Sequence, residues 1–370
     1  MEHSPMRTGV IGCGAISDIY LKNMTERFDN LEVTACAAGH LENAVKKARE
    51  YGLKACTVEE LLADQSIELA VILTPAPTHY ELIKRALNAG KHVYTEKTIT
   101  VSTKTARELL DLADEKGLYL GAAPDTFLGA SWQTARQMID EGRIGEITSF
   151  QISANRDLDV LTSMFGFLRM PGGGICYDYG VYYLTALVSL LGPAKRVCAV
   201  VKNRKPLRVN VLPQSPEYGQ EFAYPNESQV TAVVELENAV TGNFALNGDN
   251  ILPDQSLFMI YGTKGILKLT DPNQFGGKNA LIEYNGGDAC PAEWREVENA
   301  FAYGENSRGL GPSEMARAIR EGRPCRACKE MAYHVLDIID QMMKSSESGR
   351  FEAVPSTCGK PEPLGVFHTP

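Results

Sequence analysis

The run Gly9-Val10-Ile11-Gly12-Cys13-Gly14-Ala15-Ile16-Ser17 constrains the fold of this chain more than any other. An extended segment, residues 7–11, must turn into a helix within a few residues. Gly12 permits the tight turn, Gly14 lets the backbone approach a phosphate, and Ser17 takes the third, small position. A helix opening there offers free N–H groups and the positive end of its dipole to an anion. The pattern implies a dinucleotide pyrophosphate cradled by Gly12, Gly14, Ala15, Ile16 and Ser17.

The context supports that implication. Residues 31–38 read as a buried strand, and residues 42–51 carry Ala44, Val45 and Ala48 at helical spacing, which completes a βαβ unit. Strand two should end in an acid for the adenosine ribose, yet it ends Ala37-Ala38-Gly39-His40. No Arg follows to pair with a 2′-phosphate either, so both NAD and NADP remain open. His40 either contacts the ribose or is an ordinary surface histidine after a strand. The alternation continues with helices at 57–62 and 78–88, a third capped by Ser102 with Ala106, Leu109, Leu110 and Ala113 as its apolar positions, and strands at 66–73, 91–95 and 118–123. Such alternation predicts a doubly wound parallel (Rossmann) sheet over residues 1–124. Its ligand edge, beyond the carboxyl ends of the strands, should hold residues 12–17, Thr74 to His79, and Glu96 to Thr98.

The rhythm then changes. A helix at 131–141 leads to a strand at 146–154, and Gly172-Gly173-Gly174 precedes an apolar helix at 178–191. Strands at 196–202, 229–236, 240–247 and 256–261 follow without intervening helices, and Gly262 to Gly265 link to a partner strand at 266–269. This is a meander, hence an α+β domain over residues 125–370 with a large, open, mostly antiparallel sheet. Helices at 313–320 and 329–344 close the chain. Helices covering one sheet face leave the other exposed, which predicts a homo-oligomer, dimer or tetramer.

Composition narrows the function classes. At 370 residues the chain can bury two cores, and a net charge of −9 with no basic cluster argues against a nucleic-acid surface. No apolar run approaches the roughly 20 residues that span a bilayer, and no cleavable leader is seen, so a cytoplasmic protein is expected. The nine cysteines are an odd, scattered set, which argues against a disulfide framework. Cys325-Arg326-Ala327-Cys328 has redox or zinc spacing but lacks a second pair, and no other cluster implies a metal.

Hydride transfer to or from a carbinol needs a proton carrier. The histidines are His3, His40, His79, His92, His334 and His368, leaving none between residues 93 and 333. Lys97, ending a strand on the ligand edge, is the alternative; burial and a cationic ring nearby would bring its pKa toward neutrality. Asp178 and Tyr182 stand one turn apart at the start of an otherwise apolar helix, where they can face a cleft. Asp178 can equally cap that helix, and Tyr182 can equally be a core phenol with one satisfied hydroxyl.

Together, the residue 12–17 turn, Thr74-Pro75 with His79, Glu96-Lys97, the 172–182 segment, Ile260 to Gly265 and Ala318 to Pro324 resemble the glucose-fructose oxidoreductase, inositol dehydrogenase and rhizopine-catabolism (Gfo/Idh/MocA) family over nearly the whole length. The resemblance implies an NAD- or NADP-dependent oxidoreductase acting on a hydroxyl of a sugar, glycoside or cyclitol. It implies a catalytic role for Lys97; Asp178 and Tyr182 are expected to complete the catalytic site by positioning the substrate, and Thr74, Pro75, His79, Glu96 and Lys97 to contact the cofactor. Three positions depart from the family pattern: Thr98 stands where Pro is usual, Tyr182 where His is usual, and Ala76 where Asn is frequent. Tyr at position 182 is shared by a branch associated with pyranosides or glycosides. Two other readings are a redox-neutral lyase or epimerase with tightly bound NAD, and a cofactor-sensing regulator without turnover.

Overall fold

The computed structural model describes residues 4–251, 255–284 and 293–365, which form two compact units. The first comprises the residues up to Asp125 together with Asn306–Tyr333; the second comprises Thr126–Glu305 and the residues from His334 onward.

In the first unit, short and mostly apolar runs become strands, largely buried at the centre of the sheet. They are β1 (Met6–Ile11), β2 (Leu31–Ala37), β3 (Lys54–Cys56), β4 (Leu69–Ile72), β5 (His92–Thr95) and β6 (Leu120–Ala122). All pair in parallel, in the order β3-β2-β1-β4-β5-β6. β4 is buried at every position, as expected when helices cover both faces. The helices α1 (Ser17–Glu26), α2 (Leu41–Tyr51), α3 (Val58–Ala63), α4 (His79–Asn88) and α5 (Thr103–Lys116) supply that cover. α3 starts at a capping box in which Thr57 and Glu60 bond each other's backbone N–H. α2 and α5 each end at a left-handed glycine, Gly52 and Gly117. Strand order reverses between β1 and β4, where such sheets bind their ligands.

The return of Asn306–Tyr333 to this unit modifies a division at residue 124. Its reason is local. The Asn23 amide donates to the carbonyls of Asn306 and Arg308 at 2.9 and 2.8 Å, and the buried Asp125 carboxylate accepts the N–H of Gly311 at 2.8 Å. Further on, the Ala122 N–H donates to Ala327 and Gly121 bridges Cys328, so the Cys325–Cys328 segment pairs with the β6 edge. Burial raises the pKa of both thiols, Cys328 to about 12, and the segment serves as an edge cover.

The second unit carries a nine-stranded sheet with α6 (Ala130–Asp140), α7 (Leu158–Met164), α8 (Val181–Leu191) and the part of α10 (Lys329–Ser348) from His334 onward, while α9 (Leu310–Glu321) belongs to the first unit. A strand at Ile147–Asn155 lies between Thr241–Asn247 and Gln255–Gly262, parallel to the former and antiparallel to the latter. The expected meander is therefore interrupted: two strands consecutive in sequence are separated by one inserted from far upstream. Every residue of α8 is buried, which its unbroken apolar composition requires. Along Gln229–Leu236 burial alternates, and Val233 and Val200 stand 47% and 58% exposed on the open face.

His334 on α10 is fully buried. Its Nε2 accepts the Ala194 N–H at 2.9 Å, so the proton sits on Nδ1, 2.9 Å from the Ser356 hydroxyl. Burial lowers its pKa from 6.5 to about 4. A base that is neutral when folded and cationic when unfolded stabilises the fold above about pH 6.5, and that stability drains away as pH falls toward 4, by on the order of 3 kcal/mol in all. Melting temperatures of wild type and His334→Asn between pH 7.5 and about 4.5 should therefore converge on acidification. Parallel curves would show that His334 does not titrate in this way.

Candidate active site

Gly12 leaves β1 at φ +112°, and its N–H donates to the Ala37 carbonyl at 2.8 Å. A Cβ there would lie 2.7 Å from the Leu73 carbonyl carbon, so the turn rides on the backbone beyond β4. Gly14 and Ala15 are exposed, and a Cβ on Gly14 would meet nothing within 4 Å. That open cradle fits a pyrophosphate brought to the start of α1. Ser17 is fully buried and its hydroxyl donates to the Gly14 carbonyl at 2.6 Å, so Ser17 shapes the turn from beneath. Ile16, half-buried, occupies the N-cap position of α1. His40 is exposed at the N-cap position of α2 and makes no capping bond with its side chain.

Thr74 and Pro75 follow β4, half-buried and exposed respectively. His79 is fully buried, with Nδ1 2.7 Å from the Thr98 carbonyl and Nε2 2.7 Å from the Thr74 carbonyl. Its part in a cofactor site is thus indirect: it joins the loop after β4 to the loop after β5. Burial lowers the imidazole pKa, while the two carbonyls, each asking for an N–H, oppose that shift. A neutral ring can donate to only one of them.

The loop after β5 carries Glu96, Lys97 and Thr98. Glu96 is buried; one carboxylate oxygen accepts the Tyr20 hydroxyl at 2.7 Å, the other the Lys97 N–H at 3.1 Å. Glu96 therefore fixes the backbone from which the half-buried Lys97 side chain leaves. The Lys97–Thr98 peptide is cis although no proline follows. Thr98 is 4% exposed, and its hydroxyl has no hydrogen-bond partner among the described residues. An orphan donor beside Lys97 at the ligand edge also suits a site that takes a polar group.

In the second unit, residues 172–182 form a glycine-rich loop, a π-helical turn at Cys176–Gly180, and the start of α8. The helix expected from Asp178 becomes regular only at Val181; such wide turns recur at functional sites. Asp178 is half-buried within the wide turn, and its N–H donates to the Gly174 carbonyl at 2.8 Å. Tyr182 is buried, its ring 6.4 Å from that of Tyr179. The Tyr179 hydroxyl donates to Asp271 at 2.7 Å, and its ring faces the Arg156 guanidinium at 4.4 Å.

Sequence reasoning overlooked three groups. Asp125 follows a cis proline just after β6, a ligand-edge position that could have flagged it; burial pushes its pKa up to about 6, opposed by the Gly311 N–H and Arg308. Tyr20 lies mid-helix in α1, and no spacing links it to Glu96. Glu227 lies 51 residues from Cys176, whose N–H it accepts, and no local pattern marks the pair.

Among the described residues no group of three or more His, Cys, Asp or Glu is placed to hold a metal ion, and no helix is long and apolar enough to cross a membrane. Residues 6–123 match the family model described as "Oxidoreductase family, NAD-binding Rossmann fold", and residues 132–268 match "GFO/IDH/MocA C-terminal domain". An uncharacterized oxidoreductase of Schizosaccharomyces pombe is 33% identical over 59% of this chain, and the match spans only 62% of that relative's length. The scyllo-inositol 2-dehydrogenase (NADP(+)) of Bacillus subtilis is 26% identical over 93% of this chain and 95% of its own. A levoglucosan dehydrogenase solved with NADH and L-sorbose superposes with a TM-score of 0.83 at 19% identity, covering 95% of this chain and 99% of that one.

Proposed function

Because the chain belongs to the Gfo/Idh/MocA family of oxidoreductases, with NAD or NADP as cofactor, we propose that it is a dehydrogenase of a secondary hydroxyl on a pyranose, glycoside or cyclitol. The observation that carries the proposal is Lys97, the one ammonium in the ligand-edge loop after β5, its backbone fixed by Glu96 and the following carbonyl held by His79. On this reading Gly12, Gly14, Ala15 and the first turn of α1 would hold the pyrophosphate, Thr74 and Pro75 would border the cofactor, and His40 would contact the adenosine ribose. A nicotinamide held there would supply the hydride chemistry. Lys97 takes or gives the hydroxyl proton, and Asp178 and Tyr182 orient the substrate. The substrate class rests on the B. subtilis relative, whose name states a cyclitol substrate, and on the fold shared with a levoglucosan dehydrogenase. A second copy of the chain would cover the open sheet face bearing Val200 and Val233.

Purified protein given NAD or NADP in turn, with pyranosides, free sugars and inositols, should produce reduced-nicotinamide absorbance with one substrate class. Product formed with retained cofactor and no net absorbance would replace this reading by a redox-neutral lyase or epimerase. Cofactor binding without any product would leave a sensor.

A further inference from the structure

The start of the helix that carries Asp178 and Tyr182 has backbone N–H groups without intrahelical partners. A single residue from another segment accepts three of them. The Glu227 carbonyl accepts the Ile175 N–H at 3.1 Å, a Glu227 carboxylate oxygen accepts the Cys176 N–H at 2.9 Å, and the same carboxylate accepts the Tyr177 N–H. The fit is close: a Cβ on Gly174 would lie 2.0 Å from both carboxylate oxygens. Neighbours of Glu227 hold the rest of the glycine loop. The Tyr224 hydroxyl donates to the Gly173 carbonyl at 3.0 Å, and the Asn226 amide donates to Leu168 and Met170 at 3.0 and 2.9 Å.

We propose that Glu227 is the positioning residue for Asp178 and Tyr182, its carboxylate setting the first turn from which both side chains project. The proposal rests on the reading of Asp178 and Tyr182 as substrate-orienting groups. A carboxylate receiving two N–H groups at a helix N-terminus is a charge-assisted arrangement, stronger than its neutral counterpart. Burial pushes this carboxyl up to about 7 against the pull of those N–H groups, so its charge changes near neutrality. Protonation puts an O–H where only acceptors suit, and the turn loosens. The groups facing it are the Cys176 thiol, the Tyr177 phenol, which donates to Asp340 at 2.8 Å, and the Tyr224 phenol. Beside Tyr224 stand Asp178 and Arg208; the Arg208 guanidinium stacks on that ring at 4.5 Å and is paired with Asp159 and Asp249.

Glu227→Gln keeps the shape and freezes the neutral state. At pH 8 it should raise the substrate KM about tenfold, with kcat and cofactor affinity changing less than about threefold. Wild-type KM should climb as pH falls from about 8 to 6, while that of Glu227→Gln stays flat at the wild-type acid value. A Gln variant with wild-type KM and pH profile would overturn the proposal, and so would equal loss of cofactor binding. Amide hydrogen exchange over residues 173–180 provides the reading independent of turnover: Glu227→Gln at pH 8 should exchange about tenfold faster there than wild type. Unchanged exchange would also overturn it. Should wild type prove inactive on every hydroxyl substrate, the dehydrogenase reading fails, and the exchange result still decides the role of Glu227.

Discussion

Lys97→Ala is expected to lose about a thousandfold in kcat while binding NAD or NADP as tightly as wild type, because a positioned proton carrier contributes about 10² to 10⁴ and a cradle of glycine N–H groups does not need it. The separation follows from how the loop is held. Glu96 bonds the Lys97 backbone N–H and the Tyr20 hydroxyl, and His79 bonds the carbonyl of Thr98; none of these contacts uses the lysine side chain. Truncation should leave these backbone contacts in place. Cofactor titration by fluorescence, with kcat on the substrate found in the panel, separates the two effects. Full turnover in the alanine variant would end the assignment of Lys97. Loss of cofactor binding in parallel would make Lys97 a cofactor anchor.

Gly12→Ala should damage both stability and cofactor binding. At φ +112° an L side chain is strained whatever the space, and the new Cβ would lie 2.7 Å from the Leu73 carbonyl carbon and 2.9 Å from the Thr74 nitrogen. Both are backbone atoms, so no rotamer change can relieve the contact. Strain and overpacking, each about 1–3 kcal/mol, should together cost about 4 kcal/mol in unfolding free energy. Displacement of the turn should weaken dinucleotide binding at least about a hundredfold. Gly14→Ala is the internal control. With nothing within 4 Å of its Cβ, it should melt like wild type and lose only affinity for the dinucleotide. A Gly12→Ala protein with wild-type melting and affinity would show that the turn does not ride on the β4 edge as described.

The parallel sheet was legible because its evidence is local. Five of its six strands are apolar runs and most of its helices show a period, whereas β3, only Lys54-Ala55-Cys56, is too short and too polar to mark itself and went unread. The large sheet was legible in kind but not in order, since nothing in Ile147–Asn155 says that it will lie beside Thr241–Asn247. Pairing partners about ninety residues apart leave no periodic trace. The same limit divides the site. Gly12, Lys97 and Asp178 belong to short motifs, whereas Glu227 and Tyr20 act through hydrogen bonds to segments distant in sequence. His79 shows the intermediate case: the sequence marked the residue, and only the structure shows it joining two loops instead of facing outward.

The return of Asn306–Tyr333 to the first unit also bears on how the protein is made. A ribosome delivers β1 to β6 first, yet the partners of Asn23, the Gly311 N–H that meets Asp125, and the Ala327 carbonyl that receives the β6 edge emerge only after the strands from Ile147 to Val297. The nascent nucleotide-binding sheet must wait, with that edge unpaired, while all but the last strand of the second sheet is translated. Exchange of cofactor modules between relatives meets the same constraint. A single crossover after Asp125 would transplant a sheet without its closing segment, and two crossovers, one on each side of residues 306–333 as well as the first, are what a functional chimera needs.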